Sequence, residues 1–510
     1  MSKKETQKKK ILTRLLDRWA FLLPLLSAVM LGVSFINTNL AIGVLVGLVP
    51  VLLYAQRTQE LPRKDVLRSF YGAGVVFFMF CFVCITQTSP NTWTELDGGF
   101  ATAAKYGTWL LVAAVCAIQF LIIGLLLDTY RSKPKLIVLL LPPVWVLAEL
   151  VRNYLFAVLA MGPGGSLSPN WNLGNLGTAV AGTPLVYASR FFGLYGLTAI
   201  AVVANIAFFL FLRKRHKPAL VLLSMIFIVT ALGWQAYRPS TNLLSVASIH
   251  LGKDVKLGQD RAAPDLSKPA DIVVMPEYSG FFDSSYKQYA QRNLRARGTI
   301  VTTIEGEGSP NTNQLVYYSA DNAFISRQDK TFLIAGGEYV PYIFEGLFRS
   351  LKRDYIVDGF NQSEQVRKGN SIEYPVETPS AIIGGLACSG VVNLSEYRRM
   401  SKEGADILVN PASLSLLNTS SLYHAQERYL TRFHSVANAR AFVQASRSGE
   451  SYIRDSDGEI VSFANGDSGL IESSVARNSD RTIYTLTGEN LVLAMLFVWS
   501  IYILTRRKVL

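Results

Sequence analysis

Ser380-Ala381-Ile382-Ile383-Gly384-Gly385-Leu386-Ala387-Cys388-Ser389-Gly390 reads as a short buried strand running into a tight turn, with a helical stretch at about Ser395–Glu403 behind it. The apolar run suits a strand covered on both faces. Gly384, Gly385 and Gly390 permit the close backbone approach such a turn needs. A cysteine at a strand-to-helix elbow stands at the sheet edge, where nearby backbone N–H groups lower a thiol pKa and bind an oxyanion. On the elbow alone, nucleophile and buried structural thiol are equally open readings of Cys388.

The chain has four cysteines, and the other three, Cys81, Cys84 and Cys116, fall inside long apolar runs. Cys81 and Cys84 have C-x-x-C spacing with no second pair, so packing inside a helix is expected for them. Cys388 is left without a disulfide partner in its own region, and a lone thiol in an oxidising compartment is a liability unless buried or used. No histidine offers itself as a base. His250 ends the apolar run Leu243–Ile249, while His424 and His434 lie on a predicted helix of about 422–439, and each reads as an ordinary core or surface histidine. Two other segments supply ionisable groups. Ala270-Asp271-Ile272-Val273-Val274-Met275-Pro276-Glu277 is a strand running into a carboxylate, and Lys330 follows the strand-like 322–327 and precedes Gly336-Gly337-Glu338-Tyr339-Val340-Pro341. A Glu can take the thiol proton, and a Lys held against both groups keeps the thiolate ionised and stabilises an oxyanion. No metal cluster, phosphate-binding loop or dinucleotide fingerprint is present, so no cofactor or metal is expected, and Met161-Gly162-Pro163-Gly164-Gly165 reads as an outward loop.

Outward from these segments the composition changes. Of 510 residues, 50% are hydrophobic and 17% charged, and the formal net charge is +13. Apolar runs recur at about 20–36, 40–55, 70–86, 107–127, 136–155, 192–212, 217–234 and 488–505, most near the length an α-helix needs to cross hydrocarbon. Between 235 and 486 lies a stretch with 28 acidic and 26 basic residues, a net of −2, which puts the remaining +15 on the apolar part. The charge therefore does not support a nucleic-acid groove. The basic residues of the apolar part cluster in alternate gaps: the arm up to Arg18, Arg57–Arg68, Arg131–Lys135, Arg213–Lys217 and Arg506–Lys508. With eight spans, the positive-inside rule puts both termini and these gaps in the cytoplasm and the 235–486 domain outside. The Lys-rich start reads as a solvated arm or lipid-surface anchor.

The Met275-Pro276-Glu277, Lys330, Cys388 constellation resembles the carbon–nitrogen hydrolase (nitrilase) superfamily, whose Glu-Lys-Cys triad occurs in that chain order on an αββα sandwich. Fused to several spans, it is similar to the integral-membrane acyltransferase branch of that superfamily. Lys330 followed by Glu338-Tyr339-Val340-Pro341 matches the branch's K…GEYVP segment, and Gly404–Pro411 matches the strand after the nucleophile helix. Ala439-Arg440-Ala441 and Ser446–Gly449 look like the return from helix to strand. The resemblance implies Glu277, Lys330 and Cys388 as catalytic residues, with Glu338, Tyr339, Ser389 and Gly390 as supporting or substrate-binding ones. Three departures stand out: Ser389-Gly390 replace an aromatic and a glutamate, Ala412–Leu416 replace Asn-Asp-x-Trp-Phe, and Ala437 stands where a helix glutamate is usual.

The expected architecture is a multi-span α-helical membrane domain plus an α/β nitrilase-like αββα sandwich. Its parts are a cytoplasmic basic arm (1–19), about seven helices (20–234), an extracytoplasmic carbon–nitrogen hydrolase domain (235–486), one further span (487–505) and a cytoplasmic tail (506–510). The resemblance implies transfer of a fatty acyl chain from a membrane phospholipid through a Cys thioester to the N-terminal amine of an S-diacylglyceryl-cysteine lipoprotein, in a bacterial inner membrane, by a monomer. A membrane-tethered amidase-like hydrolase and a catalytically impaired binding protein are the other readings. For the apolar loop Tyr342–Phe348, immersion in the outer leaflet, covering of the site and packing into the domain's own core are all open.

Overall fold

The structure, a computed structural model, describes residues 21–56, 61–88, 98–237, 240–253, 255–257, 263–280, 286–321, 324–417 and 421–506. The basic arm over 1–19, gap residues 57–60, the start of the predicted strand at 322–323 and the tail beyond Arg506 lie outside the described residues.

The described residues up to Gln235 form an apolar helical bundle. Its helices are α1 (Leu22–Val33), α2 (Val49–Ala55, after a 3-10 turn at Thr38–Leu45), α3 (Arg63–Cys81), α4 (Gly98–Cys116), α5 (Ile118–Thr129), α6 (Pro134–Leu159), α7 (Leu176–Val180), α8 (Ser189–Leu212) and α9 (His216–Gln235). Among the described residues, five segments are long and apolar enough to cross a membrane: Thr38–Ala55, Gly98–Thr129, Pro134–Leu159, Pro184–Leu212 and His216–Gln235. Each apolar run in the sequence meets helix, but the units are less even than expected. The 40–55 run divides between a 3-10 turn and a two-turn helix, the 70–86 run belongs to a helix that starts at Arg63, and the 107–127 run extends over two helices that meet at Ala117. Cys81, Cys84 and Cys116 are buried between helices, as packing requires.

Twelve strands follow: β1 (Leu243–Leu251), β2 (Ala270–Val274), β3 (Leu294–Glu305), β4 (Asn313–Ser319), β5 (Phe324–Asp329), β6 (Val376–Glu377), β7 (Ile382–Gly385), β8 (Ile407–Ser413), β9 (Ala441–Arg447), β10 (Ser451–Arg454), β11 (Ile460–Ala464) and β12 (Ser468–Ala476). They run in the order β5-β4-β3-β2-β1-β9-β8-β7-β6, with β10 on β9, β11 on β10 and β12 on β1. β1-β2-β3 and β7-β8-β9 are parallel trios, and the two halves touch through a single pair, Leu251 with Arg447. The sheet therefore folds on itself there. Val246, Ile272, Val274, Val301, Leu315 and Tyr317 of one half pack on Ile383, Ile407, Val409, Val443 and Ile453 of the other. This is the ββ core of a sandwich.

Helices cover both outer faces. α10 (Tyr286–Asn293) packs on the first half through Tyr289 and Ala290. α13 (Leu394–Lys402) and α14 (Ser421–Asn438) cover the second half. Little of α14 is left exposed. Tyr429, Leu430 and Phe433 of α14 belong to the same continuous core as Phe35, Phe77, Phe120 and Trp145 of the bundle. After α15 (Ile483–Thr487), α16 (Asn490–Thr505) returns to the bundle, where the Glu489 carboxylate accepts from Leu194 N at 2.7 Å and Tyr195 N at 3.1 Å, beside the kink of α8 at Gly193.

Tyr342–Ser350, expected as a loop, is a helix (α11), followed by α12 (Asp354–Ser363). Three of its apolar side chains do not pack the sandwich core: Tyr342 is 56% exposed, Ile343 51% and Leu347 49%. Met161–Gly165 is a loop, as expected, and its Gly162 and Gly164 are buried against the ring of Tyr339.

Gly385 marks the tightest approach of the two sheet halves, since a Cβ there would lie 2.5 Å from Tyr317 Oη and 2.6 Å from Leu315. Gly385→Ala must therefore push the halves apart, and thermal unfolding in detergent is expected to show a loss of about 1–3 kcal/mol.

Candidate active site

Three strand ends converge at one mouth of the sandwich. β2 delivers Glu277 through Met275-Pro276, β5 delivers Lys330, and β7 delivers Cys388. Glu277 and Lys330 are each 2% exposed and Glu338 is 6% exposed. Lys330 Nζ donates to Glu277 Oε1 at 3.1 Å and to Glu338 Oε1 at 2.7 Å. A buried charge persists only when paired and hydrogen-bonded. Asn313 Nδ2 also donates to Glu277 Oε1, at 2.6 Å, and the second oxygen of Glu338, Oε2, accepts from Ile334 N at 2.8 Å. Burial alone lowers the Lys330 pKa, but Glu277 and Glu338 outweigh it and hold the ammonium well above its ordinary value. Burial raises Glu338, with Lys330 opposing and Glu277 adding to it.

Cys388 sits half-buried at the elbow with φ +46°, in the left-handed region that a β-carbon disfavours. Tyr278, directly after Glu277, shares that strain at φ +55°. Non-glycine residues in this conformation persist where surrounding contacts over-determine them, and those contacts are present. Asn410 Nδ2 of β8 donates to Leu386 O at 2.6 Å and to Cys388 O at 3.2 Å. Ser389 Oγ donates to Phe332 O at 2.5 Å, tying the elbow to the segment after Lys330. A Cβ on Gly390 would lie 2.5 Å from the Leu386 side chain. The thiol donates to Ser413 O at 3.4 Å. Burial, together with Glu277, pushes the thiol well above its usual pKa against the opposing pull of Lys330, so the resting group is a neutral thiol within the field of all three charges.

The residues picked from sequence divide by position. Glu277, Lys330, Glu338 and Cys388 come together. Ser389 and Gly390 shape the elbow. Tyr339 faces the bundle, where its hydroxyl donates to Ala160 O at 2.7 Å. Asn313, Tyr278 and the Ser413 carbonyl carried no sequence signal. Asn410 stood inside the matched Asn-Pro segment. The histidines have partners of their own: His250 lies 3.0 Å from Ser451 Oγ, His424 3.3 Å from Glu450, and His434 2.7 Å from Val391 O, with burial lowering His434 to about 4. Among the described residues no group of three His, Cys, Asp or Glu is arranged to hold a metal.

Beside the site lies an apolar cavity of about 220 Å³. Ala335, Gly336 and Val340 form one wall, Phe156 and Leu159 of α6 another, and Phe344 and Phe348 of α11 a third. α11 and α12 close over it through a thin contact, Phe348 and Ile356 on Phe100 and Ala101 of α4, with Arg353 over the Phe100 ring.

Ala437, where the family's helix glutamate is usual, is buried in the common core. Glu427, ten residues earlier on the same helix, is a buried carboxylate whose Oε1 accepts from Gln444 Nε2 at 3.3 Å, while Oε2 has no partner among the described residues. Burial and then Glu450 raise it from 4.5 to about 8, with Arg428 and Arg454 opposing. The folded value lies above the unfolded one, so the unfolded chain ionises first and stability falls as pH rises from about 4.5 toward 8. Glu427→Gln is expected to be more stable than the parent at pH 8 by on the order of 1–3 kcal/mol, with the gain shrinking toward pH 5. Thermal unfolding across that range checks the sign, and a pH-independent gain contradicts it.

The family model for the apolipoprotein N-acyltransferase N-terminal domain matches residues 27–207, and that for carbon–nitrogen hydrolases matches residues 260–482. Apolipoprotein N-acyltransferase from Geobacter metallireducens is 24% identical over 485 residues, covering 87% of each chain. The protein of the same name from Caulobacter vibrioides is 23% identical over 502 residues, covering 89% of each. Among solved structures, a carbon–nitrogen hydrolase from Helicobacter pylori G27 aligns with 46% of this chain and 89% of its own at 12% identity and a TM-score of 0.32. An amidase from Nesterenkonia sp. aligns with 51% and 97% at 12% identity and 0.33. With an N-terminal helical domain and a carbon–nitrogen hydrolase domain in one chain, matched nearly end to end by these relatives, the protein is a membrane enzyme similar over most of its length to the apolipoprotein N-acyltransferases.

Proposed function

We propose that this protein transfers a fatty acyl chain from a membrane phospholipid to the N-terminal amine of S-diacylglyceryl-cysteine in lipoproteins, by way of a thioester on Cys388. The observation that carries the reading is a buried Lys330 bridging two carboxylates beside an elbow cysteine, next to an apolar cavity walled in part by membrane helices. The carbon–nitrogen hydrolase domain, taken as 235–486, faces out of the cytoplasm of a bacterial cell, since the basic gaps of the bundle point the other way. Both substrates are anchored in the bilayer, so a site built against its helices meets them without drawing either into water.

Glu277 takes the Cys388 proton as the sulfur attacks the ester carbonyl. The Lys330 ammonium and backbone N–H groups of the elbow stabilise the tetrahedral oxyanion. Its collapse expels a lysophospholipid alkoxide, which receives the proton from Glu277 and leaves the acyl group on sulfur. The lipoprotein amine then attacks the thioester and loses a proton to Glu277. The amide forms, the thiolate leaves, and Glu277 returns the proton to it. Glu338 keeps Lys330 aligned and charged throughout, and one chain holds the complete set of groups.

Incubation with labelled phospholipid and a diacylglyceryl-cysteine peptide is expected to give N-acylated peptide and lysophospholipid in equal amounts. Glu277→Gln is expected to reduce turnover by at least about a hundredfold. Free fatty acid in place of amide supports a hydrolase, and no turnover supports a binding protein.

A further inference from the structure

Among the described residues the longest interruption of the bundle's helices is 160–175, where non-helical backbone enters a largely apolar core. Backbone polar groups buried there must be satisfied from within the protein. Two charged residues one turn apart on α6 do this, Glu149 and Arg152, both fully buried. Arg152 donates to Trp171 O at 3.1 Å, Leu173 O at 2.7 Å, Asn175 Oδ1 and Gln119 Oε1 at 3.4 Å. Glu149 accepts from Leu176 N and Thr198 Oγ1, each at 2.7 Å, and from Trp145 Nε1 at 3.2 Å. The cation thus takes two carbonyls of the segment and the anion takes the Leu176 N–H at its end. Ionisable residues inside a membrane bundle are costly and generally functional.

The clamped segment touches both catalytic loops. Asn172 Nδ2 donates to Val392 O at 3.4 Å, the last residue of the turn that begins with Cys388. Asn170 Nδ2 donates to Ser395 Oγ at 3.2 Å on α13. The Trp171 ring packs on Phe332 at 5.0 Å, and Phe332 O is the acceptor for Ser389. Ala160 O receives the Tyr339 hydroxyl, and Tyr339 adjoins Glu338.

We infer that Glu149 and Arg152 are positioning residues for acyl transfer: through the 160–175 segment they set the attitude of the Cys388 elbow against Lys330. This rests on Cys388 being the nucleophile. The test uses the full chain in detergent and reads two quantities, the pH profile of Cys388 alkylation by iodoacetamide, located by mass spectrometry, and the kinetics of acyl transfer. Arg152→Lys keeps the cation and loses the fork, and Asn172→Ala removes only the bridge to Val392. Arg190→Lys is the control. Its guanidinium is equally buried between bundle and domain but binds Val436 O, Gly233 O and Asp457, away from the elbow.

Arg152→Lys and Asn172→Ala are expected to move the alkylation midpoint by roughly half a pH unit or more, and to lower kcat about tenfold with KM changed less than about twofold. Arg190→Lys keeps the parental midpoint. If Arg152→Lys loses its thermal transition, Asn172→Ala decides alone. An unmoved midpoint in folded variants, or an equal shift in Arg190→Lys, overturns the inference. Failure of the parent to acylate Cys388 would instead remove the proposed function, and the alkylation profile would still report on the clamp.

Discussion

One ammonium shared by two buried carboxylates organises the catalytic half of this protein. Lys330 lies out of water, and it can stay charged there only because Glu277 and Glu338 stand at 3.1 Å and 2.7 Å. That requirement fixes the relative positions of the end of β2, the end of β5 and the loop beyond it. Burial, with Glu277 adding to it and Lys330 opposing, holds the Cys388 thiol well above its ordinary pKa, so under the proposed function its activation is a proton transfer rather than standing ionisation.

A second constraint joins the two halves. α14 is buried on one side by the second sheet half and on the other by the bundle, so sandwich and membrane helices share a core. The bundle is therefore part of the scaffold that positions the Cys388 elbow as well as an anchor. Arg190 reinforces the union, with its guanidinium on Asp457 at 2.8 Å and on carbonyls of both α9 and α14. α11 and α12 are held by far less, and their exposed apolar side chains contrast with the closed union beneath α14.

Strand ends and apolar runs were legible in the sequence because each is a local pattern: an alternation stops, a proline or glycine follows, and an ionisable residue comes next. The grouping of Glu277, Lys330 and Cys388 drew on family resemblance, since 53 residues separate the first two and no local rule links them. Asn313 was illegible because an Asn at a strand start is usually a turn residue. Its role appears only when the strand lies beside Glu277. Tyr342–Ser350 read as a loop because Pro341 and Gly346 punctuate it, yet Pro341 ends in the extended conformation just before the helix starts. Gly162 and Gly164 looked like loop residues for the same local reason, and what they accommodate is the ring of Tyr339, far away in sequence.

The central claim is that acyl transfer passes through Cys388 sulfur. The most direct measurement is the mass of the Cys388 peptide after the full chain is mixed with phospholipid and quenched in acid without an amine acceptor. The account predicts one added acyl group on Cys388, labile to hydroxylamine and absent in Cys388→Ala. Product formation with no acyl group on Cys388, or with the group on another residue, would contradict it.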